Sequence, residues 1–194
     1  MRIMTTVTLI LATIGWACAQ NETLLHSCEN LEGVAMGTGR QLEEAKLFVS
    51  YAAEHVTEGV GAIGACARSP EGGTGNTYIS IDIPVEQTDL TGRALVFDAA
   101  TSTPDLSRAR YVRAYDASGN CVLSWLSWEG ELTSEAREYC LVPGEGFGTI
   151  KWEPGRVELD DHSQIVKLQF ITGTGSKGVV FNFTVDNVRL ADAD

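Results

Sequence analysis

Tyr78-Ile-Ser-Ile-Asp-Ile83 puts Ile79, Ile81 and Ile83 on one side of the chain and Tyr78, Ser80 and Asp82 on the other. A period of two buries one face of a strand and leaves the other for solvent or a ligand. The same alternation recurs outward from this stretch. Residues 94–98 (ALVFD) make a short apolar strand, and residues 109–116 (ARYVRAYD) set Val112 and Ala114 opposite Tyr111, Arg113 and Tyr115. Asp116-Ala-Ser-Gly119 is a turn, in which Asp supplies a local hydrogen bond and Gly the positive φ. Residues 121–128 (CVLSWLSW) return as the second arm of a hairpin. Trp125 and Trp128 stand three apart, so a regular strand sends one inward and one outward. Residues 149–153 (TIKWE) add a strand in which Trp152 sides with Ile150 as core. In residues 164–171, Val166, Leu168 and Phe170 face in while Lys167 and Gln169 face out. Residues 179–190 close the chain, with Phe181, Phe183 and Val185 inward.

Two stretches carry a helical hint: residues 40–53, with Leu42, Ala45 and Val49 at helical offsets, and residues 134–139, which are acidic and polar. Each is long enough for a turn or two at most. About nine short strands with no long helical pattern between them predict an all-β antiparallel jelly-roll β-sandwich. No repeat or linker divides residues 20–194, which read as a single domain.

The first 19 residues have another purpose. Arg2 precedes the apolar run VTLILATIGW, and Ala17-Cys18-Ala19 follows. A basic start, a short apolar centre and an A-x-A site make a cleavable signal peptide, with cleavage after Ala19. Lipidation of Cys18 requires an aliphatic residue three positions earlier, where Gly15 stands. The apolar run is about half the length of a membrane span, and no later segment is long enough for one. The expected product is secreted, extracellular or periplasmic.

The signal takes one of the 14 basic residues and none of the 26 acidic ones, so the remainder is more acidic than the whole chain at −12. Such a surface argues against nucleic acid and anionic lipid as partners. Cys28, Cys66, Cys121 and Cys140 remain. An even number in an exported chain reads as two disulfides, with proximity favouring Cys28–Cys66 and Cys121–Cys140 among three pairings. None of the four has the close Cys/His spacing of a zinc site, and His26, His55 and His162 lie far apart.

Sugar rings present apolar C–H faces to aromatic side chains and hydroxyls to planar polar groups. Tyr78, Asp82, Tyr111, Arg113, Tyr115, Lys167 and Gln169 all lie opposite their strands' aliphatic faces, and Trp128 is the outward member of its pair. These eight are the candidate ligand-binding residues for a polysaccharide or glycan. Catalytic signatures are missing. Where a jelly-roll glucanase requires its first Glu, this chain has Ser80, which removes the nucleophile. There is no G-x-S-x-G elbow. Gly173-Thr-Gly-Ser-Lys-Gly178 lacks the Gly-Lys-Ser/Thr order of a phosphate loop and reads as a hairpin between strands.

The order of short motifs carries a resemblance. Asn30-Leu-Glu-Gly33 stands near the start, and Ala53-Glu-His-Val-Thr-Glu-Gly59 leads into the small-residue strand 60–68. The stretches 79–98 and 112–119 follow, and Val185-Asp-Asn-Val-Arg-Leu190 ends the chain. Together they resemble the galactose-binding-like jelly-roll domains that serve secreted bacterial glycoside hydrolases as carbohydrate-binding modules. Leu31 departs from the usual aromatic before Glu32, and the loop at 69–76 is Gly-rich. The resemblance implies that the strand after the Thr-Glu-Gly turn runs beside the last strand. It also implies a structural calcium ion, held by Glu32, by the turn at residues 57–59 (Glu58 or carbonyls) and by Asp186, since calcium takes six to eight oxygens. The function it implies is non-catalytic glycan binding. The alternatives are a surface or matrix protein using the fold for protein contacts, or a polysaccharide-degrading enzyme.

Overall fold

A computed structural model of the protein describes residues 21–39, 42–72, 77–126, 132–143 and 161–193. The leader, the expected strand at 149–153, Trp128 and Trp152 lie outside the described residues. The described residues form β1 (Thr23–His26), β2 (Ala35–Thr38), β3 (Glu43–Ser50), β4 (Ala62–Arg68), β5 (Thr77–Thr88) and β6 (Arg93–Ala100). These are followed by β7 (Arg108–Asp116), β8 (Cys121–Leu126), β9 (Arg137–Leu141), β10 (Ile165–Thr174) and β11 (Val180–Asp192). They build two antiparallel sheets. One is six-stranded in the order β3-β4-β11-β6-β9, with β1 added on β11; the other is five-stranded in the order β2-β5-β10-β7-β8. Among the described residues there is no helix long and apolar enough to cross a membrane.

The alternation predicted from the sequence is the one the sheets use. Ile79, Ile81 and Ile83 of β5, Leu168 and Phe170 of β10, and Val112 and Ala114 of β7 face Phe181, Phe183 and Val185 of β11 across one core. Trp125 is the inward tryptophan of its strand, 1% exposed. Phe97 of β6 ties the layers together. Its ring stacks on Tyr139 of β9 at 5.4 Å and meets Phe170 of the opposite sheet edge-on at 4.8 Å. β4 runs beside β11, as the resemblance implied.

Four expectations change. Neither helical stretch is a helix. Residues 43–50 pair with β4 as a strand whose register slips between Glu43 and Lys46, with Glu44 at φ 52°. That bulge inserts one residue, so Leu42, Ala45 and Leu47 all reach the core and imitate a helical offset. Residues 137–141 are β9, with Tyr139 and Leu141 inward. A second bulge separates Ile165 from Lys167, so Ile165 enters the core in place of the expected Val166. The stretch 173–178 is not a hairpin, because β10 and β11 belong to different sheets. It is a crossover between the layers.

The cysteines form the fourth correction: no disulfide joins any of the four to another. Cys28 is wholly buried in the core, where burial pushes its thiol well above the ordinary range. Cys66 alternates with the inward Ala65 and Ala67 and so points away from that core. Cys140 likewise alternates with the inward Tyr139 and Leu141. Cys121 belongs to the other sheet. In both expected pairs the sheet or the core stands between the sulfurs, beyond the reach of a disulfide.

Candidate functional site

The five-stranded sheet has one face on the core and one face turned away from it. Register places the outward residues of neighbouring strands side by side: Asp82 beside Gln169, Gln169 beside Arg113, and Lys167 beside Tyr115. Gly37 of β2 pairs with Ser80, and Ser124 of β8 pairs with Arg113. Seven of the eight candidate ligand residues therefore meet on one surface, and Trp128 lies outside the described residues.

A chain of hydrogen bonds crosses this surface from β2 to β7. The Gly37 N–H donates to Ser80 Oγ (3.1 Å), and the Ser80 hydroxyl donates to Asp82 Oδ1 (2.8 Å). Gln169 Nε2 donates to the same carboxylate oxygen (2.9 Å), while Gln169 Oε1 accepts from the Tyr115 hydroxyl (3.0 Å). One end of the Gln169 amide donates and the other accepts, which fixes its orientation. Lys167 Nζ lies 3.6 Å from Asp82 Oδ2 and 4.2 Å from the centre of the Tyr115 ring. The Arg113 guanidinium stands 4.9 Å over the Tyr111 ring. Each contact is a modest cation–π or hydrogen-bond term, but a connected set holds its members in one geometry. The result is a row of half-exposed tyrosine rings beside prearranged amide and carboxylate groups.

Ser124 is a residue that the sequence did not single out. Its hydroxyl is buried on the outward side beside Arg113 and has no hydrogen-bond partner. A lone serine between Leu123 and Trp125 gives no sign of this in sequence; only the pairing with β7 puts it there.

The expected turn at residues 57–59 and Asp186 do meet, but the side chains of Glu32, Glu58 and Asp186 form no group among the described residues. The side chains of Glu32 and Glu58 are exposed. Asp186 is 1% exposed, and its carboxylate is filled by donors. Oδ2 accepts from the Thr57 N–H (2.7 Å), the Glu58 N–H (3.1 Å) and the Thr57 hydroxyl (3.1 Å), while Oδ1 accepts from the Asn187 N–H (2.8 Å). Burial raises its pKa above the ordinary carboxylate value, with those hydrogen bonds opposing. Among the described residues no three His, Cys, Asp or Glu side chains are grouped to hold a metal. Glu29 occupies the other side of the same turn. Its Oε1 accepts from the Val60 N–H (2.9 Å), and its Oε2 is buried without a partner. Gly59, at φ +69°, leaves room for that carboxylate where any side chain would collide with it.

No protein-family model matches the sequence, and no curated protein does. The fold has clear likenesses among solved structures. A family 11 carbohydrate-binding module from Clostridium thermocellum, solved in complex with a β-1,3-1,4-mixed-linked tetrasaccharide, is 16% identical with a TM-score of 0.61 over 90% of this chain and 98% of that one. A family 30 module of a cellulosomal cellulase of the same organism is 12% identical, with a TM-score of 0.52 over 90% and 99%. An exo-β-agarase is 14% identical with a TM-score of 0.57; the likeness spans 89% of this chain and 25% of the enzyme. The chain has the β-sandwich fold of carbohydrate-binding modules over nearly all of its length.

Proposed function

We propose that this chain is a secreted, non-catalytic glycan-binding module, and that its ligand lies along the outward face of the five-stranded sheet. The observation that carries the reading is the connected set Tyr115–Gln169–Asp82–Ser80, with Lys167 and Arg113 against tyrosine rings. Rings offer stacking surface to sugar C–H faces, and the amide and carboxylate groups offer planar partners to hydroxyls, while the buried Arg113 supports the Tyr111 ring from beneath the surface. Prearrangement lowers the cost of ordering these groups when a ligand arrives. The likeness to modules, one of them solved with an oligosaccharide, supports a binding role over a catalytic one. Export is supported by the signal-peptide pattern read in residues 1–19.

Affinity electrophoresis of the mature domain against a panel of soluble polysaccharides tests the site. Tyr115→Ala is expected to weaken the retarding interaction by about tenfold or more, the scale of a central aromatic anchor. Unchanged retardation in Tyr115→Ala, Gln169→Ala and Tyr111→Ala together would remove the site from this face. A protein that no glycan retards would favour the protein-contact reading.

Calcium belongs to the proposal as a structural ion at Glu29, not at Glu32 and Glu58. The support is the buried, unpartnered Oε2 beside the turn that also holds Asp186, since a bare carboxylate oxygen away from water is costly. A chelator should lower the melting temperature of the wild type and leave that of Glu29→Gln unmoved; identical wild-type melts with and without chelator would remove the ion.

A further inference from the structure

At one end of the outward face, the ladder between β7 and β10 slips between Ile171 and Thr172. Arg110 falls in that bulge. Its side chain lies across Gly173, which has no room for a side chain of its own. A Cβ there would stand 2.7 Å from the Thr77 carbonyl oxygen and 3.1 Å from Arg110 Nε. On the other flank of Gly173, β5 presents Tyr78, 43% exposed. Arg108 pairs with Gly173 in register and is exposed, giving only Nη1 to main-chain oxygens of Pro104 and Ser107.

These two arginines differ from others in the protein. Arg68, Arg93 and Arg189 each pair with a carboxylate. The 26 acidic residues against 14 basic ones make the surface as a whole repel polyanions, so an acid group can be received only at a local position whose guanidiniums no carboxylate neutralises. No carboxylate among the described residues pairs with Arg108 or Arg110. An unpaired guanidinium beside an exposed tyrosine, over bare backbone, offers a planar set of donors for an acid group and a ring face for the sugar that bears it. A neutral sugar has no group that needs this charge.

We infer that the glycan bound on this face is an acidic polysaccharide, and that Tyr78, Gly173, Arg110 and Arg108 form the position that receives its acid-bearing sugar. The inference rests on the glycan reading above and specifies its ligand. A carboxylate and a sulfate ester satisfy the same donors, and the two are separated by experiment.

Isothermal titration of the mature domain at low and high salt should compare three probes: an oligogalacturonide, a sulfated galactan oligosaccharide and a neutral mixed-linked β-glucan oligosaccharide. One of the two acidic probes should bind at least tenfold more tightly than the neutral one, and the preference should shrink at high salt. Arg110→Ala should lose about tenfold for the acidic probe and little for the neutral one, with Arg110→Lys recovering part of the loss. The Arg110→Ala melting temperature shows whether the fold persists; if it falls, the Arg108→Ala variant carries the same comparison. Equal or tighter binding of the neutral probe, unaffected by either arginine variant, overturns the acidic ligand and leaves the glycan reading standing. No binding of any probe overturns both.

Discussion

Asp186 is buried, ionisable and surrounded by hydrogen-bond donors, and its titration should reverse the usual sign for a native carboxylate. Burial raises its folded pKa above the ordinary 3.8. The unfolded chain therefore releases this proton at lower pH than the folded one, and stability from this group falls as pH rises through the window above 3.8. Asp186→Asn removes that dependence. Urea melts at pH 3.5 and pH 7 should show the stability difference moving in the variant's favour at the higher pH. A difference that moves the other way would mean that the four donors outweigh burial. His55 acts oppositely. Burial lowers its pKa from 6.5, so its share of stability is present above 6.5 and lost as pH falls through the folded value. Its ring bonds Ser50 through Nδ1 (2.9 Å).

At the scale of an element, the segment from Tyr51 to Gly61 has no ladder of its own and is held by side chains. Thr57 shares its one hydroxyl proton between Asp98 (2.8 Å) and Asp186 (3.1 Å), His55 is fixed on Ser50, and the Ala136 N–H donates to the Glu54 carbonyl (2.7 Å). Asp98 is shared further with Asn187 Nδ2 (3.3 Å) and Arg189 (3.6 Å), and Arg189 also bonds Glu138. Thr57→Val keeps the shape and removes the one hydroxyl proton that the two buried carboxylates share. The cost should be about 1–3 kcal/mol, visible as a melting point lower by several degrees, with Thr57→Ser close to wild type. A Thr57→Val protein as stable as the wild type would show that the main-chain donors alone hold the segment. The motif His55-Val-Thr57 was legible in the sequence as a resemblance, and its place beside the last strand was legible too. Its role was not, because the partners Asp98 and Asp186 lie 41 and 129 residues away.

At the scale of the molecule, two sheets share one core, and Phe97 touches both layers. Phe97→Ala should cost about 3–5 kcal/mol and lower the melting point by roughly 10 °C, since the void opens where two rings lose their neighbour. A loss under 2 °C would show that the layers are joined elsewhere. The disulfides expected from an exported chain are absent from this arrangement, and the layers are held by apolar packing instead. Cys28 should accordingly react with a thiol reagent only on unfolding, while Cys66, partly exposed, reacts in the native protein.

The sequence by itself determined which side chains share a face. Alternation is a local property of extended backbone, so Ile79, Ile81 and Ile83 against Tyr78, Ser80 and Asp82 could be read without knowing any neighbour. The Asp116–Gly119 turn was local in the same way: Gly119 takes φ +81° and Asp116 caps Asn120. Only the tertiary structure decided what non-local pairing decides. Strand order brought Tyr115, Gln169 and Asp82 into one hydrogen-bonded row. Bulges at Glu44, Arg110 and Val166 moved residues across faces, because one inserted residue reverses a period of two and leaves no mark in composition. Packing of the two sheets, not the parity of the cysteines, decided that Cys28 would end in the core and Cys66 outside it.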